Sequence, residues 1–197
     1  MGEQNAAPPE DRYFIYDKET VAVDEFDVDG YILDVGGGGE GIIGILKGEQ
    51  VVAIDLRKDE LEEAPDGPLK VVADARDLPF LDGTFDAATA FYSLMYLKSR
   101  SDCAKAFAEV FRVLKPGGRF LIWESTVERP PDTDKPAYVL FLRILVGGQE
   151  INTGYGQPWP AEAHDDAFYI RCAQEAGFEL ATRSEAGLLF FLELRKP

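Results

Sequence analysis

Histidine is almost missing from this chain: His164 is the single one among 197 residues. A histidine-based metal cluster is therefore excluded, and no other metal-ligand spacing stands out among the scattered acids. Cysteine is nearly as scarce. Cys103 and Cys172 stand far apart, with no CxxC or Cys/His spacing, and read as small buried hydrophobes of a reduced, cytoplasmic protein. Basic residues are outnumbered, 20 Lys and Arg against 36 Asp and Glu, for a net charge of −16. A surface of that sign repels phosphate backbones and anionic lipid headgroups, which argues against nucleic acid or a membrane as partner. Long hydrophobic runs are absent too. The longest, Ala137 to Val146, is broken by Arg143 and falls short of the ~18 residues a bilayer span needs. Met1 to Glu10 carries no basic region followed by an apolar stretch, so no signal peptide is expected. Apolar residues are plentiful by contrast, at 46% with 12% aromatics. That is enough for a full core in one domain, and it rules out global disorder.

The chain divides into a short N-terminal part, residues 1–30, and one domain, 31–197. Met1–Asp11 reads as a loose terminus. Tyr13–Tyr16 and Thr20–Val23, around Asp17-Lys18, predict a small hairpin. From Tyr31 onward short apolar runs alternate with helical stretches. Strands are predicted at Tyr31–Val35, Val51–Ile54, Leu69–Ala73, Phe85–Phe91 and Arg119–Trp123. Helices are predicted at Glu40–Leu46, Arg57–Ala64 and Ser101–Leu114. The last of these places Ala104, Phe107, Ala108, Phe111 and Leu114 on one face, and Lys115-Pro116-Gly117-Gly118 ends it. The alternation implies a doubly wound α/β domain, with a mostly parallel sheet of about seven strands covered by helices on both faces. After a charged, Pro-containing loop, Ala137–Val146, Gly147-Gly148 and the following residues predict an inserted hairpin over 137–156. Glu162–Ala176 is predicted as a helix, and Phe178–Thr182 and Leu188–Leu194 as closing strands, the last antiparallel.

The sharpest motif is Asp34-Val35-Gly36-Gly37-Gly38-Gly39-Glu40-Gly41, between the first strand of the sheet and its helix. Glycines there permit a tight turn and let a ligand approach the backbone at a helix N-terminus. A plain turn would not need four in a row. Asp55 ends the next strand 21 positions after Asp34 and can accept both hydroxyls of a ribose. Gly36-x-Gly38-x-x-Gly41 also fits the dinucleotide fingerprint, which by itself admits an NAD(P)-dependent oxidoreductase. Further segments discriminate: Asp74-Ala75-Arg76-Asp77-Leu78-Pro79-Phe80, Thr84-Phe85-Asp86, Phe111–Gly118 and Gly177-Phe178-Glu179. In this order and spacing the set resembles class I S-adenosylmethionine-dependent methyltransferases, and most of all the small ubiquinone/menaquinone-biosynthesis type.

The resemblance implies a Rossmann-like methyltransferase fold, S-adenosyl-L-methionine as cofactor and a small-molecule acceptor. It implies that Gly36, Gly37 and Gly38 pass under the methionine and ribose portions, and that Asp34 orients the methionine amine. Asp55 would bind the ribose with Leu56 beside the adenine. Asp74 would accept from the adenine amino group, the Ala75 amide would face a ring nitrogen, and the backbone at Phe91 would meet the methionine ammonium. One departure stands out: the family pattern places a glycine at position 40, and this chain has Glu40 with the glycine one residue later.

The acceptor side is expected beyond the fourth and fifth strands of the sheet, where open α/β sheets bind ligands. Tyr92, Ser93, Tyr96, Trp123, Glu124 and Ser125 lie there, and Tyr92, Tyr96 and His164 are the candidate catalytic groups. Tyr155, Trp159 and Phe168 are candidates to cover the pocket. The 137–156 hairpin either covers the site, serves as core or forms a homodimer interface. Two other functional classes stay open. An NAD(P)-dependent oxidoreductase would lack an obvious Tyr-x-x-x-Lys pair. A non-catalytic adenosylmethionine-binding module would bind the cofactor without turnover.

Overall fold

The computed structural model describes residues 12–197; the loose terminus expected over Met1–Asp11 lies outside them. The chain opens with two short strands, β1 (Tyr13–Ile15) and β2 (Glu19–Val23). The parallel core follows as β3 (Ile32–Val35), β4 (Val51–Asp55), β5 (Leu69–Val72), β6 (Phe85–Phe91) and β7 (Leu114–Ser125). Helices α1 (Ile42–Lys47), α2 (Lys58–Glu63) and α3 (Arg100–Val113) connect them. The hairpin β8 (Ala137–Val146) and β9 (Gln149–Pro158), helix α4 (Asp166–Ala176) and strands β10 (Glu179–Ala186) and β11 (Leu189–Arg195) complete the order.

The main sheet has seven strands in the order β10-β11-β7-β6-β3-β4-β5, with β11 antiparallel to both neighbours. The chain steps outward from β3 through β4 to β5, then crosses back to place β6 on the other side of β3. The loops leaving β3 and β6 therefore diverge, and that topological switch point is where an open α/β sheet takes its ligand. Ile32, Leu33 and Val35 are all buried, as continuous apolar strands covered on both faces must be. Helices α3 and α4 cover one face around Phe107, Val110, Phe120 and Tyr169.

Several expectations need correction. The buried stripe of α3 is Cys103, Ala106, Phe107, Val110 and Val113, not the stripe through Ala104 and Ala108. Two overlapping apolar stripes share Phe107 on this helix, and docking on the sheet buries the one that carries the β-branched Val110 and Val113. Phe111 packs edge-on to Phe178 instead, at 5.0 Å. Ser99 caps the helix, its Oγ accepting from the Asp102 amide at 3.1 Å. Lys115–Gly118 forms a bulge inside β7: the β6 pairing jumps from Phe85–Leu114 to Ala87–Arg119. Gly117, at φ 79°, makes this excursion, and its amide donates to the Lys196 carbonyl at 2.9 Å.

The opposite face is not wholly helical. Beside α1 it carries a second sheet built on β8. Gly147 and Gly148, at φ 54° and 76°, supply the two left-handed residues of a tight hairpin turn, and β9 returns as far as Pro158. Tyr138, Leu140, Leu142, Ile144 and Val146 alternate inward onto the main sheet. The expected Tyr13–Val23 hairpin does not form. β1 and β2 both run parallel to β8 along the edge opposite β9, with Tyr13 beside Ala137 and Val23 beside Val146. Asp17-Lys18 contains no left-handed residue, so it makes no tight turn. It takes up the one extra residue between the Ile15–Val139 and Glu19–Leu142 pairs.

Candidate active site

The glycine loop leaves β3 at the switch point and folds back over β4. The amides of Gly36 and Gly37 both donate to the Ile54 carbonyl, at 2.8 and 2.9 Å. A Cβ on Gly37 would lie 2.5 Å from Asp34 Oδ2 and 2.9 Å from the Ala53 Cβ. A Cβ on Gly38 would lie 2.6 Å from the Glu60 Cβ and 3.0 Å from Asp55 Oδ2. Only glycine lets the backbone come this close, and what it comes close to is three carboxylates. The Gly39 amide donates to the Glu60 carbonyl at 2.8 Å, docking the loop on α2. Helix α1 then starts after Gly41, at φ 55°, two residues later than expected.

Asp34 is 3% exposed. Its register partner on β6 is Thr89, whose hydroxyl donates to Asp34 Oδ1 at 2.7 Å. Burial lifts the Asp34 pKa to about 7, the Thr89 hydroxyl counters part of that rise, and Asp55 adds to it. Asp55 Oδ1 accepts from the Arg57 amide at 2.8 Å, and Leu56 beside it is 65% exposed. At the end of β5, Asp74 is bracketed by Arg76, whose Nη2 lies 2.7 Å from Oδ2. Arg76 also reaches Asp102 at 2.8 Å. The Arg76 guanidinium holds the Asp74 carboxyl below its usual range. Ala75 packs half-buried against the helix-side core.

Phe91 ends β6, buried between Tyr92 and Trp123. Tyr92 is the only non-glycine residue with positive φ among the described residues, at 48°. Its amide donates to the Trp123 carbonyl at 2.9 Å, while its buried hydroxyl has no partner. Because Phe91 pairs with Trp123, Tyr92 and Glu124 follow side by side one step further on. Glu124 is fully buried, with Oε1 accepting from the Met95 amide at 3.1 Å and Oε2 unpartnered. Burial raises its pKa to about 8. The Ser125 hydroxyl is likewise buried without a partner. Tyr96 is 45% exposed, and burial of its hydroxyl, with Glu124 and Glu40 nearby, raises its pKa to about 12. Ser93 packs against Gly36, and its hydroxyl donates to the Val35 carbonyl.

The candidates do not all converge. His164 lies before α4, which starts at Asp166 with Asp165 as its cap. The ring stacks on Phe168 at 4.7 Å, and its Nδ1 is 3.4 Å from the Tyr169 hydroxyl. Burial holds its pKa below the ordinary value. Phe168 belongs to the same helix-side core and covers no pocket. Trp159 joins Phe14, Tyr16 and Tyr138 in the accessory sheet. Tyr155 does reach the crevice, its ring parallel to Tyr92 at 5.5 Å and 9°. Sequence reasoning missed Thr89, Glu60 and Thr153, and the bond between Tyr155 and Glu40. Thr89 had a signal: with Asp86 it is one of two residues outside the apolar and alanine pattern of β6.

A switch-point glycine loop ringed by carboxylates, on a sheet of this strand order, defines a nucleoside-cofactor domain that favours a cationic ligand. Residues 33–122 match the family description "Methyltransferase domain". Over 118 residues the chain is 33% identical to a sterol 4-C-methyltransferase of Caenorhabditis elegans, covering 60% of this chain and 34% of that protein. It is 42% identical over 82 residues to a ubiquinone/menaquinone biosynthesis C-methyltransferase of Desulfotalea psychrophila, covering 39% and 32%. The matches thus span about a third of these curated relatives. A SAM-dependent methyltransferase structure from Methanosarcina mazei shares the fold, with a TM-score of 0.59, 19% identity and coverage of 87% of this chain and 94% of that one. Residues 33–122, a little under half of the chain, thus resemble a methyltransferase domain, and the solved structure shares its fold. Among the described residues no helix is long and apolar enough to cross a membrane.

Proposed function

We propose that the protein transfers the methyl group of S-adenosylmethionine to a small-molecule acceptor. The observation that carries this reading is Asp34: a buried carboxylate with one hydroxyl donor, set under a glycine loop, which a cationic ligand would satisfy. The methionine ammonium lies on the Asp34 side, with the Phe91 backbone as its second contact, and Gly36, Gly37 and Gly38 pass beneath the cofactor. Asp55 takes the ribose hydroxyls and exposed Leu56 covers the adenine. Asp74 accepts from the adenine amino group in exchange for one of the four hydrogen bonds that Arg76 donates to it, with the Ala75 amide facing the ring. The cofactor supplies a methyl group activated by sulfonium. The chain's own residues align the acceptor and exclude water.

Tyr96 is the candidate catalytic residue that is partly exposed, with its hydroxyl buried beside Glu124 and Glu40, so it is the one assigned to touch the acceptor. Tyr92 forms the wall behind it, and His164 has no part. Residues 31–197 form the functional domain, and the 137–156 hairpin covers the site rather than a dimer interface, a reading supported by the Tyr155–Tyr92 stack. The net charge of −16 supports a small acceptor over nucleic acid, and two buried free cysteines support a cytoplasmic setting.

Calorimetry with adenosylmethionine, its demethylated product and NAD tests the cofactor assignment. Binding of NAD alone would overturn it. Asp55→Ala should weaken adenosylmethionine binding by about 1–3 kcal/mol. Unchanged affinity in a folded variant refutes the ribose role. Label from methyl-labelled cofactor appearing in RNA would refute the small-molecule part.

A further inference from the structure

Glu40 stands where the family pattern has glycine, and the cofactor assignment gives it nothing to do. Its two carboxylate oxygens are both taken by β9. Thr153 Oγ1 donates to Oε1, and the Tyr155 hydroxyl donates to Oε2 at 3.1 Å. Thr153 and Tyr155 are two apart on a strand, so both face inward, as does Gln157 two residues further on. The Gln157 amide donates to the Met95 carbonyl and, at 3.2 Å, to the Tyr138 hydroxyl. Met95 lies in the turn that follows β6. One face of β9 thus touches both loops that flank the switch point, the glycine loop through Glu40 and the post-β6 turn through Gln157. Tyr155, stacked on Tyr92, lies between these two anchors.

We propose that Glu40 is a positioning residue that ties the cofactor loop to β9, so that the cofactor sets the position of Tyr155 as the roof of the acceptor pocket. The inference rests on the adenosylmethionine reading above. Three observations support it. Glu40 sits between Gly39 and Gly41, at φ 59° and 55°, on a stretch of backbone that no side chain stiffens. β9 is an edge strand, held on one side only by β8, so its inner-face contacts matter to its order. The Tyr155 hydroxyl has Glu40 as its hydrogen-bond partner, and that carboxylate together with burial keeps the phenol protonated. A cofactor that orders the glycine loop would order Glu40 with it, and through two hydroxyls the strand above.

Hydrogen exchange of the full chain, with and without the demethylated cofactor, tests this. In the wild type, saturating demethylated cofactor should slow exchange of the 149–158 amides at least about threefold. Glu40→Gly restores the family glycine and should abolish that response while the cofactor still binds. Thr153→Val with Tyr155→Phe removes both donors without touching the cofactor loop and should do the same. Equal slowing in wild type and both variants overturns the tether, as does binding to the wild type with no change, or faster exchange, in 149–158. Failure of the wild type to bind either adenosylmethionine or its product in calorimetry overturns the cofactor reading itself, and this inference with it.

Discussion

Asp34 makes the free protein's stability depend on pH in a direction opposite to that of an ordinary surface carboxylate. Its folded-state pKa is raised to about 7, with burial the main cause, against 3.8 for the unperturbed group. Between those values the folded chain keeps a proton that the unfolded chain has lost. The folded state binds more protons, so unfolding free energy falls as pH rises. The stabilisation is fully present below pH 3.8 and is lost on passing through about 7. At 1.36 kcal/mol per pKa unit the swing is about 4 kcal/mol, an order-of-magnitude figure. Asp34→Asn keeps the shape, can still meet the Thr89 hydroxyl and cannot titrate. Urea unfolding of cofactor-free wild type and variant from pH 4 to 8 should give stability curves that diverge across this window, with the wild type falling relative to the variant. Glu124, with a pKa raised to about 8 by burial, adds a similar loss to both proteins and cancels in the difference. A cationic cofactor favours the ionised Asp34, so its affinity should rise with pH through 7, and binding below that pH should release a proton. Calorimetry in buffers of differing ionisation enthalpy reads this proton directly. Parallel stability curves, or binding without proton release at pH 6, would refute the assignment of a buried, titrating carboxylate to the cofactor site.

Other residues give sharper local tests. Tyr92→Phe removes a buried hydroxyl that has no partner, so chemical denaturation should show a gain of about 1 kcal/mol; a loss would mean the hydroxyl is satisfied. Gly36→Ala forces a side chain into φ 73° and against Ser93, and should cost at least about 2 kcal/mol in the same assay. Near-neutrality would mean the loop adopts another path. Phe107→Ala empties a fully buried site 5.5 Å from the Phe120 ring, with an expected loss of about 3–5 kcal/mol in unfolding free energy. A cost under 1 kcal/mol would place α3 differently on the sheet.

What could be read from the chain beforehand divides along the range of the interactions involved. The proposed cofactor half of the site is encoded by local backbone needs: a carboxylate closing a strand, glycines where side chains would collide, a second carboxylate closing the next strand. Asp34, Gly36–Gly38 and Asp55 are legible for that reason, and so is the parallel sheet, whose strands are short apolar runs between turn signals. The acceptor half depends on contacts from about thirty to more than a hundred residues apart. β1 and β2 pair with β8 across more than a hundred, and nothing near Asp17-Lys18 distinguishes a bulged edge strand from a hairpin. The register of the α3 stripe and the burial of His164 are decided by the sheet and by Phe168, not by the helix's own periodicity. Glu40 is the instructive case. Read locally it is a defect in a glycine motif. Its partners, Thr153 and Tyr155, lie 113 and 115 residues away, on the strand that roofs the crevice. On the proposed reading, a departure from a cofactor-loop pattern marks where the cofactor site meets the acceptor site, because the Glu40 side chain reaches the strand that also touches the post-β6 turn.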